Sequence, residues 1–524
     1  MEQFGKVSRS PTNPQIKNEK KVFDISELFS GPMTISNSEG GAVSLDEKMR
    51  KAYFWITNYA IITPFYDIEY NDGPVKQYSV GDTNKTTITF PSNQSYSSFI
   101  LLPLLNLVVR RRCLFIGGPG RGKTASAILM GLLAGYSNKE VKRAIQHGQP
   151  QMTISDLLGN PIPSDMMKAD NMDDIRISWR KWLGMRVKII DEYNRIPTRT
   201  QSALLTVMGD NYAEILDQIY ECPEAAWYLT ANDDAGGGTY QVIEALKDRI
   251  DIVVRALHFN TRFIDELSDR IDKKIKPENM IPKDVIFSEE EIDKIYDDIL
   301  RIEIPTALLR RIEFFAGQFE FFEPAGAQIE YMTKDNAKLS GIDFNLLSNL
   351  DVGKSKSQDI GLQTKNGLSV RALMTALIFI KSLAYFRGET AVSLEDIRNM
   401  LPFVLHDKLT QNSDSPFFEI EQNAIYRVDK VNWIRKLFDL SCSEYDRASM
   451  DMQDPVKELS DFFKKGLEGM SKNAVEEQLL KIEKQMEQYV KNKKFHGYMF
   501  DDILNLKYLH QRYSNYLRWL KWKK

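Results

Sequence analysis

Only three cysteines occur in 524 residues, Cys113, Cys222 and Cys442, and they are far apart, without metal-ligand spacing. That excludes a disulfide-built scaffold and a thiolate metal centre, and the thiols read as buried or free in a reducing compartment. Histidine is scarce too: five residues, scattered, suggesting no metal site. Long apolar runs are missing. The greasiest stretch, residues 99–109, contains Pro103 and Asn106 and falls short of the roughly 20 residues that cross a bilayer. It reads as a buried helix ahead of a core strand. The opening residues, Met1-Glu2-Gln3-Phe4-Gly5-Lys6, have no apolar core for a signal peptide. Neither sign of charge dominates: 69 basic residues against 72 acidic leave a net −3, which gives no global pull toward nucleic acid or anionic membrane. These absences leave a cytoplasmic protein without a membrane span, long enough for about two to four domains.

What the chain does contain is sharper. Gly117-Gly118-Pro119-Gly120-Arg121-Gly122-Lys123-Thr124 follows the apolar run Cys113-Leu114-Phe115-Ile116 and precedes a helix-forming run that begins at Ala125. This strand–loop–helix context is what a phosphate-binding loop requires. Backbone N–H groups turned inward form an anion nest, and the helix N-terminus adds its positive dipole end. Residues Gly117 to Ala125 are therefore the candidate nucleotide cradle, with Lys123 reaching the β- and γ-phosphates and the Thr124 hydroxyl on Mg²⁺. A second strand candidate, Val187-Lys188-Ile189-Ile190, ends in Asp191-Glu192. Asp191 is placed to hold Mg²⁺ and Glu192 to activate a water. A third, residues 226–231, ends in Asn232, which can orient that water. Three strand ends in this order point to a nucleoside triphosphate site, and no guanine-specificity motif is apparent, so ATP is expected.

The segment Asp191-Glu192-Tyr193-Asn194-Arg195-Ile196-Pro197, followed by Thr200-Gln201-Ser202-Ala203-Leu204-Leu205 and Met208, resembles the MoxR group of AAA+ ATPases. Residues 151–159, 238–249 and 367–397 resemble, in order, that family's second-helix insert, its arginine-finger segment and its lid. The likeness covers roughly residues 97–412. It implies an α/β P-loop core with a parallel sheet, then an α-helical lid. It also implies an ATPase using ATP and Mg²⁺ in a homo-hexameric ring, with a partner that often carries a von Willebrand factor A domain. Carried over, Asn232 is sensor 1, Arg249 the finger reaching a neighbour's nucleotide, and Arg371 a lid arginine on the phosphates of its own subunit. Arg195 reads as structural or as an inter-subunit contact. Tyr193 is bulkier than the family's aliphatic residue, and Asp233 replaces a proline.

Around that core the organisation is less defined. Residues 1–21 are polar and read as disordered; 22–95 form a segment of unknown role, with a helix over 44–58 and a strand over 85–90. The ATPase core is expected over 96–259 and the linker and lid over 260–412. Capping boxes start lid helices at Ser288 and Ser393, and residues 331–366 read as a mobile insertion. In the helical extension, 413–524, Val475, Leu479, Ile482, Met486 and Tyr489 line one helix face. Residues 491–524 hold nine Lys/Arg against two acidic residues, interleaved with Tyr508, Tyr513, Tyr516, Trp519 and Trp522. Such a tail can bind nucleic acid by stacking and phosphate contact, although a helix that buries its aromatics is favoured. The leading expectation is a ring-forming remodeller of a partner protein. A DNA-directed motor or defence component and a metal-chelatase motor subunit are the alternatives.

Overall fold

The computed structural model describes residues 44–522 except 82–85, 170, 172–173, 233–243, 343–345, 347–358, 451–453, 492–494 and 496. The expected disordered start, most of the supposed finger segment before Glu244, and Asp233 lie outside the described residues.

Alternating apolar strands and helices build one parallel sheet: β1 (Arg112–Ile116), β2 (Gln146–His147), β3 (Val187–Asp191), β4 (Ala226–Ala231) and β5 (Ile252–Arg255), in the order β5-β1-β4-β3-β2. β1, β3 and β4 are near-continuous apolar runs because both sheet faces are covered. Register aligns their carboxyl ends: Ala231 lies opposite Ile116, Leu229 opposite Ile190, and His147 opposite Asp191. The glycine loop, Asp191-Glu192 and Asn232 therefore leave the sheet along one edge. β2, two residues long, carries no pattern that a sequence reading could detect.

Helix α1 (Leu45–Trp55) and the wholly buried α2 (Ser98–Val109) precede the sheet. Pro103 and Asn106 do not spoil α2, because Tyr228 donates to the Pro103 carbonyl at 2.8 Å and Asn106 Nδ2 to the Trp227 carbonyl at 3.1 Å. α3 (Lys123–Leu133) packs with α2 on the same face of the sheet, while α4 (Thr198–Gly209) and α5 (Glu244–Arg249) cover the other, with Leu204, Met208 and Leu246 buried there. Beyond β5, where the sequence suggested only a polar linker, α6 (Ile264–Asp272) forms.

The lid contains α7 (Glu289–Arg301), α8 (Thr306–Ala316), α9 (Val370–Phe386) and α10 (Leu394–Leu405). Ser288 and Ser393 make capping boxes with Glu291 and Asp396. Residues of the 44–96 segment brace it: Lys48 pairs with Glu291 at 2.8 Å, Arg50 donates to the Phe386 carbonyl at 2.8 Å, and Tyr70 to buried Asp396 at 2.7 Å. The 331–366 stretch, expected to be mobile, is anchored at both ends. Buried Lys334 donates to the carbonyls of Gly361 (2.6 Å) and Thr364 (2.8 Å). The remainder of that insertion lies mostly outside the described residues. After α11 (Lys430–Arg447), helices α12 (Pro455–Lys464), α13 (Lys472–Lys491) and α14 (Gly497–Trp522) form a bundle. Val475 and Ile482 meet Leu506, Leu509 and Tyr513 in its core. Tyr513 is thus consumed by packing, whereas Tyr508, Trp519 and Trp522 stay exposed.

Candidate functional site

The glycine loop leaves β1 at Ile116 and enters α3 at Lys123. Gly122, at φ 79°, turns the chain into the helix in a left-handed conformation that a side chain would strain. Gly117 passes so close to β5 that a Cβ would lie 2.5 Å from the Ala256 carbonyl. Arg121 donates to that same carbonyl at 3.1 Å, tying the loop to the strand exit. Pro119, Gly120, Arg121, Gly122 and Ala125 face solvent, whereas Gly117 is buried and Gly118 half-buried.

Lys123 is buried, and its Nζ donates to the carbonyls of Gly117 and Gly118 (2.9 Å) and to Asn232 Oδ1 (2.8 Å). A buried ammonium held by loop carbonyls can exchange them for phosphate oxygens, which are stronger acceptors. Thr124 Oγ1 donates to Asp191 Oδ1 at 2.7 Å. That hydroxyl and carboxylate are hard oxygen ligands of the kind Mg²⁺ prefers.

Two residues that sequence reasoning missed complete this cluster. Thr230 Oγ1 donates to Asp191 Oδ1 at 2.6 Å and accepts the Glu192 backbone N–H at 2.9 Å. His147 Nδ1 lies 3.3 Å from Asp191 Oδ2. Thr230 was legible only as part of an apolar strand, and His147 only as a scattered histidine. Glu192 adopts a left-handed backbone, φ 54° and ψ 49°, a conformation costing on the order of 1 kcal/mol or more; the Thr230 contact helps hold it. Its Oε1 accepts from Asn232 Nδ2 at 2.9 Å and its Oε2 pairs with Arg195 Nε at 3.2 Å. On β3, buried Lys188 donates to the Met185 carbonyl at 2.6 Å, and burial pulls its ammonium down to about 8.

The two expected arginines lie elsewhere. Asp251, two residues past Arg249, takes the Arg112 backbone N–H at 2.9 Å, at the start of β1. Five residues of strand at about 3.3 Å each put this edge roughly 16 Å from Gly117. Arg249 lies against Gly209 at the end of α4, where a Cβ would meet its Nε at 2.5 Å. Arg371, in the first turn of α9, forms an ion pair with Asp248. Thr375, one turn on, donates to Asp251 at 2.5 Å, and Lys408 clamps the Asp248 and Ile250 carbonyls at 2.9 and 2.7 Å. The expectation that Arg371 contacts phosphates of its own chain is therefore corrected: the lid packs so that Arg371 shares the far edge with Arg249.

Residues 112–252 match the ATPase family associated with various cellular activities (AAA), and residues 357–426 match the AAA lid domain. The chain thus carries an AAA+ ATPase domain with a helical lid and extra C-terminal helices. No curated protein matches it. A solved structure from Cytophaga hutchinsonii, provisionally described as an ATPase, is similar at 20% identity and a TM-score of 0.43 over 65% of this chain and 89% of the other. Among the described residues, no helix is long and apolar enough to cross a membrane.

Proposed function

We propose that this chain is an ATP-hydrolysing, MoxR-like AAA+ protein that assembles into a homo-hexameric ring and remodels a partner protein. The observation that carries the reading is the hydrogen-bonded cluster Lys123–Asn232–Glu192 beside Thr124–Asp191, on one sheet edge with the glycine loop. In this reading Lys123 transfers its donors from the loop carbonyls to the β- and γ-phosphates. Thr124 and Asp191 hold Mg²⁺, which neutralises charge on those phosphates when bound. Glu192 takes a proton from the attacking water, and Asn232 fixes the water's position.

Arg249 and Arg371, on the opposite edge, serve the nucleotide of the neighbouring subunit. A guanidinium at the transferring phosphoryl group is worth about 10³–10⁵ in rate in better-studied systems. The von Willebrand factor A partner rests on the family resemblance alone. Lys123→Ala and Glu192→Gln together test the assignment. A folded Lys123→Ala protein should lose ATP affinity, while Glu192→Gln should bind ATP and leave it unhydrolysed. Normal ATP binding by the first, or wild-type turnover by the second, contradicts it. Pull-down with ATP-loaded Glu192→Gln then identifies the partner.

A further inference from the structure

Helix α6 is turned inside out. Its polar side faces the protein: Arg270 donates to the Ala60 carbonyl at 2.8 Å and to Glu266 at 2.7 Å. Its apolar stripe, Ile264, Leu267 and Ile271 at helical spacing, faces solvent at 60%, 42% and 68% exposure. An amphipathic helix gains stability by burying that stripe, so a stripe left in water marks a docking face. The surface begins at the nucleotide loop. Ala256, whose carbonyl holds Arg121, is followed by exposed Leu257 and Phe259, and then by α6.

We propose that this face seats a second copy of the chain. The inference rests on the functional reading above and names the surface that completes its active site. Its counterpart is on the far edge, where exposed Val370 and Met374 flank Arg371 on α9, with exposed Lys247 nearby on α5. If Arg371 reaches a neighbour's nucleotide, Val370 and Met374 necessarily arrive beside that neighbour's loop, where Leu257, Phe259 and α6 stand ready. Asp265 and Asp272 are exposed beside the α6 stripe and match the positive charge of the arriving face. Two different patches meeting head to tail close into a ring or run on as a filament.

The test is the assembly state of full-length wild type and of Ile264→Ser/Ile271→Ser, measured by analytical ultracentrifugation with ATP over a range of concentrations. Both changes are at exposed positions, so folding is expected to survive, with circular dichroism as the control. The double variant should need at least about tenfold more protein to assemble, while single-site ATP binding is unchanged. A mixture of Ile271→Cys and Met374→Cys proteins should form a covalent dimer on oxidation that neither gives alone. Assembly of the double variant at wild-type concentrations, or loss of a different protein's binding without loss of assembly, overturns the proposal but leaves the ATPase reading standing. Wild type that binds ATP yet stays monomeric throughout overturns the proposal and the ring together, without touching the nucleotide site.

Discussion

Asn232 bridges the two ends of the proposed reaction centre, accepting from Lys123 Nζ at 2.8 Å and donating to Glu192 Oε1 at 2.9 Å. One amide at the end of β4 therefore sets the distance between the phosphate-binding cation and the water-activating carboxylate.

Asn232→Ala should retain most ATP affinity, because Lys123 keeps its loop carbonyls, but lower kcat by about 10²-fold or more. Asn232→Asp should be no better, since it sets a second carboxylate against Glu192. Nucleotide titration and steady-state ATPase assays on both variants separate the two effects. A loss confined to KM would assign Asn232 to binding instead.

Thr124 and Asp191 share a hydrogen bond at 2.7 Å. Thr124→Ala should raise the Mg²⁺ concentration needed for half-maximal hydrolysis, and chelation should abolish turnover in wild type. An unchanged Mg²⁺ titration in Thr124→Ala would remove that hydroxyl from the metal site.

Lys188 gives a pH signature. Burial lowers its folded-state pKa from 10.5 to about 8, so between these values the unfolded chain binds the extra proton. Stability therefore rises with pH across this window, and below about 8 the buried charge costs on the order of 3 kcal/mol. Lys188→Met should be more stable than wild type at pH 7, and the difference should shrink toward pH 10. A pH-independent difference in denaturation midpoints between the two proteins would refute this account.

The nucleotide loop was legible because its chemistry is contiguous: three glycines, Lys123 and Thr124 follow one another directly after an apolar strand. Asp191, Glu192 and Asn232 were legible as strand ends, and the strands were apolar enough to be seen. Thr230 was not, because its role depends on the register that brings β4 beside β3. Arg371 was misplaced for a similar reason. The edge on which the lid packs is decided by Thr375 on Asp251 and Lys408 on the α5 carbonyls, contacts between residues more than 120 positions apart in sequence. α6 was overlooked although Ile264, Leu267 and Ile271 have helical spacing, because acidic and basic neighbours gave the stretch the look of a linker.

The account's central claim is that the active site is shared between subunits. Arg249→Ala retains the glycine loop, Asp191 and Glu192, so it should bind ATP but hydrolyse it about 10³-fold more slowly; Glu192→Gln should be equally inactive for lack of a base. Measuring ATPase activity across mixing ratios of the two tests the claim most directly. Interfaces that join an intact Glu192 site to an intact Arg249 should restore activity, with a maximum at intermediate ratios. A response flat near zero, in subunits shown to co-assemble, would contradict the shared site.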